Sequence, residues 1–468
     1  MQRRPFGFER PSAGLAGLCA LIAILVLAGG ASRPDVPGQV VVRLASTIAL
    51  VAAALFAPPP RVGEVRWVWI LLLAAIALPL AQLVPLPPRL WQTLPGRAML
   101  AGALPGQPWR PLSITPGATI NAATALIVPV AVLTLATGVK AREHNRMLAV
   151  ILILGALSML VGALQFAGAD ANNPFVNDRR GELAGIFSNR NHFALFLALN
   201  CLIAPIWAFR PRRWEGWRLS VGFGLVAAFL FVILSTGSRA GLILGVAGTG
   251  LGVAIGLRGM KRQLLALPRW LRIAAPAGAV AVIVLFGLLS IHANRAESIK
   301  RAMAVSVDDD LRFAAFGTVT AMVKGYFPVG TGFGSFDQAF RIHEPFGLLK
   351  PTYFNRVHND LIEVVLDGGI AGLVLLVAAL GWWTYASVRV WRAARSETVI
   401  LGQLGSAIIL LVTGASIVDY PARTPLIMGL VALAAYWLAR GTEPVIFSIE
   451  PQGASSNRHS RGSRHDAG

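Results

Sequence analysis

Three arginines and two histidines stand out by where they sit. Arg190 and His192 lie in GIFSNRNHFALFLAL, at the mouth of a run apolar enough to enter a membrane. Arg239 lies in STGSRAG, the hydrophilic break between two long apolar runs, and Arg312 follows three aspartates in DDDLRFAAFGTVTAMVKGYF. His358 opens RVHNDLIEVVLDGGIAGL. Ionisable side chains this close to hydrocarbon are costly and tend to face a cavity or a partner. Converging with Arg180 and Arg356, these guanidiniums would suit a diphosphate, because planar forks bind phosphate oxygens in pairs. A histidine beside them can accept or orient a hydroxyl proton. The chemistry indicated is displacement of a lipid diphosphate by a sugar hydroxyl.

Each motif also has a plainer explanation. Ser188 or Asn189 can cap the helix that follows. A cation in the first turn opposes the helix dipole, so Arg190 calls for an anion, either a lipid headgroup phosphate or a bound substrate. Turn-making accounts for the glycines of STGSRAG but not for Arg239. Arg312 stands four residues after Asp308, the spacing of a helical ion pair. It also shares a helical face with Phe316, Val319 and Val323, which points it toward packed protein and a buried anion site. A helix over 356–373 lines His358 up with Ile362 and Val365 and puts Asp360, Glu363 and Asp367 on another face. GTGFGSF, Gly330 to Phe336, follows no buried strand and reads as a turn after Pro328 rather than a nucleotide loop. Neither His343 with Glu344 nor His358 with Glu363 gives a complete metal-ligand set.

The elements that must position these residues are membrane spans. Of the 468 residues 55% are hydrophobic and 14% charged, which does not fit a soluble surface. Apolar windows long enough to cross about 30 Å of hydrocarbon recur. They fall near 13–31, 39–57, 66–85, 119–138, 147–168, 192–208, 219–236, 240–257, 273–292, 369–388, 399–418 and 424–440. The first is read as an uncleaved helix rather than a signal peptide. Cys19 and Cys201 fall inside spans, which implies neither a disulfide framework nor a zinc cluster.

Lys and Arg concentrate in every second connection, among them Arg3, Arg4, Arg61, Lys140, Arg142, Arg212, Arg258, Lys261, Arg392 and the Arg458–Arg464 tail. The positive-inside rule then places both termini in the cytoplasm and the connections 32–38, 86–118, 169–191, 236–240, 293–368 and 419–423 outside. Arg89, Arg97 and Arg110 run against this trend. Much of the net charge of +20 is topogenic, which argues against a nucleic-acid partner. The expected fold is all-α: a polytopic bundle of about twelve spans, with a helical external loop between spans 9 and 10. Residues 1–138 form the N-terminal helices, 139–440 the core including loop 293–368, and 441–468 a disordered tail.

FSNRNHFA, STGSRAG, the Arg312 helix followed by PVGTGFGSF, and above all VHNDLIEVVLDGGIAG resemble, in that order, the O-antigen ligase and polymerase superfamily of bacterial envelopes. The resemblance covers residues 145–435, and SNRNHFA is the form of exopolysaccharide-linked members. It implies a metal-independent, inverting glycosyltransferase of the inner membrane, with no cofactor, that takes glycan from undecaprenyl diphosphate on the periplasmic face. The acceptor would be a growing glycan, lipid A core or a protein, with a chain-length regulator as a further partner alongside the membrane lipids. Carried over by position, Arg239 and Arg312 bind diphosphate and His358 activates or positions the acceptor hydroxyl. Arg190, Arg180, Arg356, Asn359 and His192 are the expected substrate-binding residues. A transporter or flippase of the lipid-linked glycan is the rival reading. It would show inverted repeats and broken helices at mid-membrane rather than ionisable residues at the ends of spans.

Overall fold

The computed structural model describes residues 12–443, apart from 104–105, 107–108, 177–181, 210–215, 267–306 and 350–353. These residues form an all-α polytopic bundle. In chain order the first helices are α1 (Ala13–Ala28), α2 (Pro37–Phe56), α3 (Arg66–Ala81), α4 (Pro88–Thr93), α5 (Ala98–Ala103), α6 (Pro116–Ala125), α7 (Ile127–Gly138) and α8 (His144–Phe166). They are followed by α9 (Arg190–Ala208), α10 (Gly216–Ser235), α11 (Arg239–Ala266), α12 (Val307–Tyr326) and α13 (Phe336–His343). The chain closes with α14 (Asp360–Arg392), α15 (Glu397–Ser416) and α16 (Pro425–Gly441). Among the described residues nine helical segments are long and apolar enough to cross a membrane, and α1 and α16 are shorter apolar helices. The expected window 273–292 lies outside the described residues, as does the expected tail from residue 444 onward.

Helix α9 is the axis of the bundle. It is apolar on all sides, and 16 of its 19 residues are buried. Helix α11 runs parallel to it at glycine distance: a methyl on Gly248 would stand 2.8 Å from the Ala198 carbonyl, and one on Gly252 would strike that of Leu202. Lipid tails are as apolar as leucine, so small residues that let backbones touch are what draw such helices together. The consequence is positional, because the first turns of α9 and α11, bearing Arg190 and Arg239, lie side by side.

Hydrogen bonds sort the connections onto two ends. At one, Ser12 bonds Glu143, Asn145 bonds Glu397 at 3.0 Å, and Arg440 pairs with Glu64 at 2.7 Å. At the other, Ser188 N–H donates to the Gly30 carbonyl, Leu426 N–H to that of Gly29, and Gly38 N–H to that of Phe175. The connections richest in Lys and Arg among those described share the first end. The motifs share the second.

A cap covers that second end. A two-stranded hairpin, β1 (Pro85–Leu86) with β2 (Arg110–Pro111), joins α12 and α13, whose Val319, Met322, Tyr326, Phe336 and Phe340 form a core of their own. Two of the arginines of 86–118, Arg97 and Arg110, find their explanation here. Arg97 is fully buried, donates to the carbonyls of Leu112 at 2.7 Å and Gly330 at 2.9 Å, and lies over the rings of Trp91 and Tyr326. Burial pushes its pKa down to about 10, so it stays charged at neutral pH. Arg97 staples the cap, and Arg110 lies 4.7 Å over Trp91 in the same way.

Two expectations are corrected. The stripe proposed for Arg312 is not wholly packed, because Phe316 is 53% exposed; the packed face runs Ala315, Val319, Met322 and Tyr326. The tenth span, expected from 369, is preceded by a helical segment that the window did not include. Helix α14 begins at Asp360 and breaks at Gly369 (φ 57°, ψ −142°), where Ile370 N–H donates to the Pro328 carbonyl. A side chain at Gly369 would collide with that carbonyl and force strained backbone. Gly369→Ala is expected to destabilise the protein by at least about 1–3 kcal/mol. Thermal unfolding in detergent reads this as a lowered midpoint.

Candidate functional site

The site is assembled from three turns at the capped end. The first opens α9: Asn189 is the N-cap, in extended backbone, and its Oδ1 accepts from Asn191 N–H at 2.8 Å. The capping expectation therefore holds for Asn189, but the amides have a second task. Asn191 Nδ2 donates to Asp419 Oδ2 at 2.8 Å and Asn189 Nδ2 to the same oxygen at 3.3 Å. His192, 1% exposed, sets its Nε2 3.7 Å from Asp419 Oδ1.

The second turn carries His358, which does not lie on the helix expected for it. Asn359 caps α14 by accepting from Ile362 N–H at 3.0 Å and donates to the Ile417 carbonyl at 2.8 Å. That cap starts the helix at Asp360 and leaves His358 outside it, with a left-handed φ of 58°. Such backbone in a non-glycine residue costs on the order of 1–3 kcal/mol and gathers at functional sites. Instead of joining Ile362 and Val365, the imidazole points its Nδ1 at Asp419 Oδ1, 3.4 Å away.

The third turn is Asp419–Arg423, between α15 and α16. Asp419 is buried and takes Asn189 and Asn191 on one oxygen, and Tyr420 N–H and His358 on the other. Burial alone would raise its carboxyl, but His192 and His358 outweigh burial and hold it well below the usual carboxylate range. Tyr420 meets both imidazoles edge-on, at 5.1 Å from His192 and 4.9 Å from His358. Burial, then the Asp419 charge, push its phenol up to about 12, so it stays neutral.

Behind this cluster lies a buried ion network. Arg423 Nε pairs with Asp360 at 3.2 Å, and its Nη2 lies 3.2 Å from Glu363 and 3.8 Å from Asp367. Glu363 also binds Arg356 Nη1 at 3.0 Å and Val357 N–H at 3.0 Å, which fixes the strand of chain leading to His358. Asp367 is seated by the glycine loop. Gly330, Gly332 and Gly334 all have φ between 81° and 101°, and Gly334 N–H and Thr331 Oγ1 donate to its carboxylate. The loop is thus the expected turn, and it cradles a carboxylate.

The structure brings His358, Asn359, His192, Arg190, Arg239 and Arg356 to one end. Arg190 is half-buried and Arg239 exposed. Arg356 is committed to Glu363 rather than left open for an anion. Arg312 lies on α12 one turn before Ala315; its side chain, and Arg180 altogether, are outside the described residues. Asp419, Tyr420 and Arg423 were read from sequence only as a turn. The available signal was an acid and a base within five residues between two apolar spans, DYPAR. Among the described residues no three His, Cys, Asp or Glu side chains converge as metal ligands.

Residues 223–377 match the family model described as O-antigen ligase, a stretch that contains Arg239, Arg312, the glycine loop and His358 but not Asn191, Asp419 or Arg423. No curated protein matches the chain. The matched stretch, about a third of the chain, is similar to the O-antigen ligase family, and it sits in a helical membrane bundle that gathers its motifs at one end.

Proposed function

We propose that this protein transfers glycan from undecaprenyl diphosphate to a sugar hydroxyl on the periplasmic face of the inner membrane, as an O-antigen ligase or an exopolysaccharide polymerase. The observation that carries the reading is His358 held against the Asp419 carboxylate at the end where α9 and α11 present Arg190 and Arg239. The Lys and Arg bias of the opposite end supports a periplasmic position for this one.

In the reaction the acceptor oxygen attacks the anomeric carbon from the face opposite the diphosphate. The new carbon–oxygen bond forms as the bond to phosphate breaks, so the anomeric configuration inverts. The acceptor proton passes to Nε2 of His358, while Asp419 holds the Nδ1 side and stabilises the imidazolium that forms. Undecaprenyl diphosphate leaves with the bonding electron pair. Arg239, with Arg190 and Arg312, meets its charge, which is the work a divalent cation does in other diphosphate displacements. Residues 139–440 would be the catalytic core, with 1–138 packed against it.

Removing a charge-stabilising donor typically costs about 10²–10³ in rate. Arg239→Ala is expected to lose that much product in a null strain complemented to equal membrane levels, and Arg190→Ala less. Single repeat units accumulating on the lipid would mark a polymerase, and long lipid-linked chains a ligase. Wild-type product from both variants would sink the anion role of these arginines.

A further inference from the structure

Arg43 lies inside the second span, where no step of the transfer reaction uses it. It stands six residues beyond Pro37, about 9 Å along α2 from the end that carries the site. Its guanidinium reaches across to α6. Nη2 donates to Asn121 Oδ1 at 2.6 Å, and also lies 3.4 Å from the Asn121 carbonyl and 3.5 Å from Gln39 Oε1; Nη1 donates to Thr124 Oγ1 at 3.0 Å. All of these acceptors are neutral oxygens, so none cancels the charge. Nε is buried with no hydrogen-bond partner.

The surroundings are amphipathic in a specific way. Thr124, and Thr47 one turn below Arg43, are exposed, and beside them Leu44 and Ile48 are each 59% exposed on the outside of the bundle. At this depth the outside is lipid. An arginine on a span snorkels toward its interface, here toward the helix N-terminus, because side chains lean that way. A small polar patch with one unmatched positive charge, set at headgroup depth above an apolar strip, is the counterpart of an anionic lipid.

We propose that Arg43, Asn121 and Thr124 form a binding site for the headgroup phosphate of an anionic phospholipid, with an acyl chain along Leu44 and Ile48. One guanidinium balances the single charge of a phosphodiester, whereas the diphosphate of a lipid-linked sugar carries more charge than this site offers. A zwitterionic headgroup would bring a second cation to Arg43. The site is separate from the His358 cluster, and its occupancy does not depend on the transferase reading.

The test is native mass spectrometry of the full-length protein, delipidated stepwise from nanodiscs of phosphatidylglycerol and phosphatidylethanolamine. Wild type should retain one phosphatidylglycerol selectively, and Arg43→Gln should retain it about tenfold less, the loss of one charge-assisted contact. Asn121→Asp supplies an internal carboxylate, so it should expel the lipid while keeping Arg43 paired and the protein folded. Equal retention by wild type and Asn121→Asp would overturn the site. Displacement of phosphatidylglycerol by undecaprenyl phosphate at equal concentration would overturn its assignment to a phospholipid.

Discussion

Replacing His358 by alanine is expected to lower glycan transfer by about 10²–10⁴-fold, the usual worth of a positioned general base, while the protein still accumulates in the membrane. The side chain is half-buried at a turn, where it meets Asp419 and Tyr420, and Asp419 keeps its bonds to Asn189, Asn191 and Tyr420 N–H without it, so the fold should persist. Asp419→Asn should lose a comparable factor for a different reason. The amide keeps the shape of the carboxylate but not its charge, so the imidazolium formed in the transition state is no longer stabilised. Because the two residues act as one unit, the double variant should be no slower than the slower single one. Purified protein, a lipid-linked donor and initial rates under saturating and limiting acceptor make the measurement. If His358→Ala transfers at the wild-type rate, the proton goes elsewhere and the mechanism fails.

Arg423→Ala should be the most damaging change to the fold. Three carboxylates, Asp360, Glu363 and Asp367, face this guanidinium, and all three are buried. Removing it leaves Asp360 and Asp367 buried without a countercharge, and Glu363 with Arg356 alone, which costs about 3–5 kcal/mol. Ser416 Oγ and Ala422 N–H would still bond Asp360, but hydrogen bonds do not replace a countercharge. Little folded protein is therefore expected in the membrane. Arg423→Lys should recover part of the loss, since an ammonium supplies the charge but not the planar fork that spans Asp360 and Glu363. Adding Asp360→Asn to Arg423→Ala should also recover part, by removing one uncompensated charge. Full-length protein per cell and thermal unfolding in detergent report both. An Arg423→Ala protein as stable as wild type would show that the network contributes nothing.

The contrast between these two residues shows how the information is distributed. His358 was legible because it sits in HND, directly in front of an apolar run. Asn189 was legible as a cap, since capping is settled within a few residues of chain, whereas Asn359 was expected inside a helix and its capping role was not legible. The spans were legible because hydrocarbon leaves the backbone no choice but to bond itself internally, so length and apolarity suffice. The grouping of connections onto two ends followed from that alternation.

Partner choice was not legible. Which carboxylate faces His358 depends on which helix ends meet, and Asp419 is 61 residues downstream. Arg356, Arg97 and Arg190 look alike as basic residues near apolar runs, yet Arg356 goes to Glu363, Arg97 to backbone carbonyls and aromatic rings, and Arg190 to the open end of α9. Hydropathy cannot separate them, because it records the cost of placing a charge near lipid and not what compensates it. By itself, then, the sequence determined the spans, the Asn189 cap and the order of the motifs, all of which are local or one-dimensional consequences of chain and solvent. Only the tertiary structure decided that SNRN, HND and DYPAR share one carboxylate and that the glycine loop seats Asp367. Those pairings are made across the gaps between helices, and the close glycine packing of α11 on α9 helps to set which ends meet.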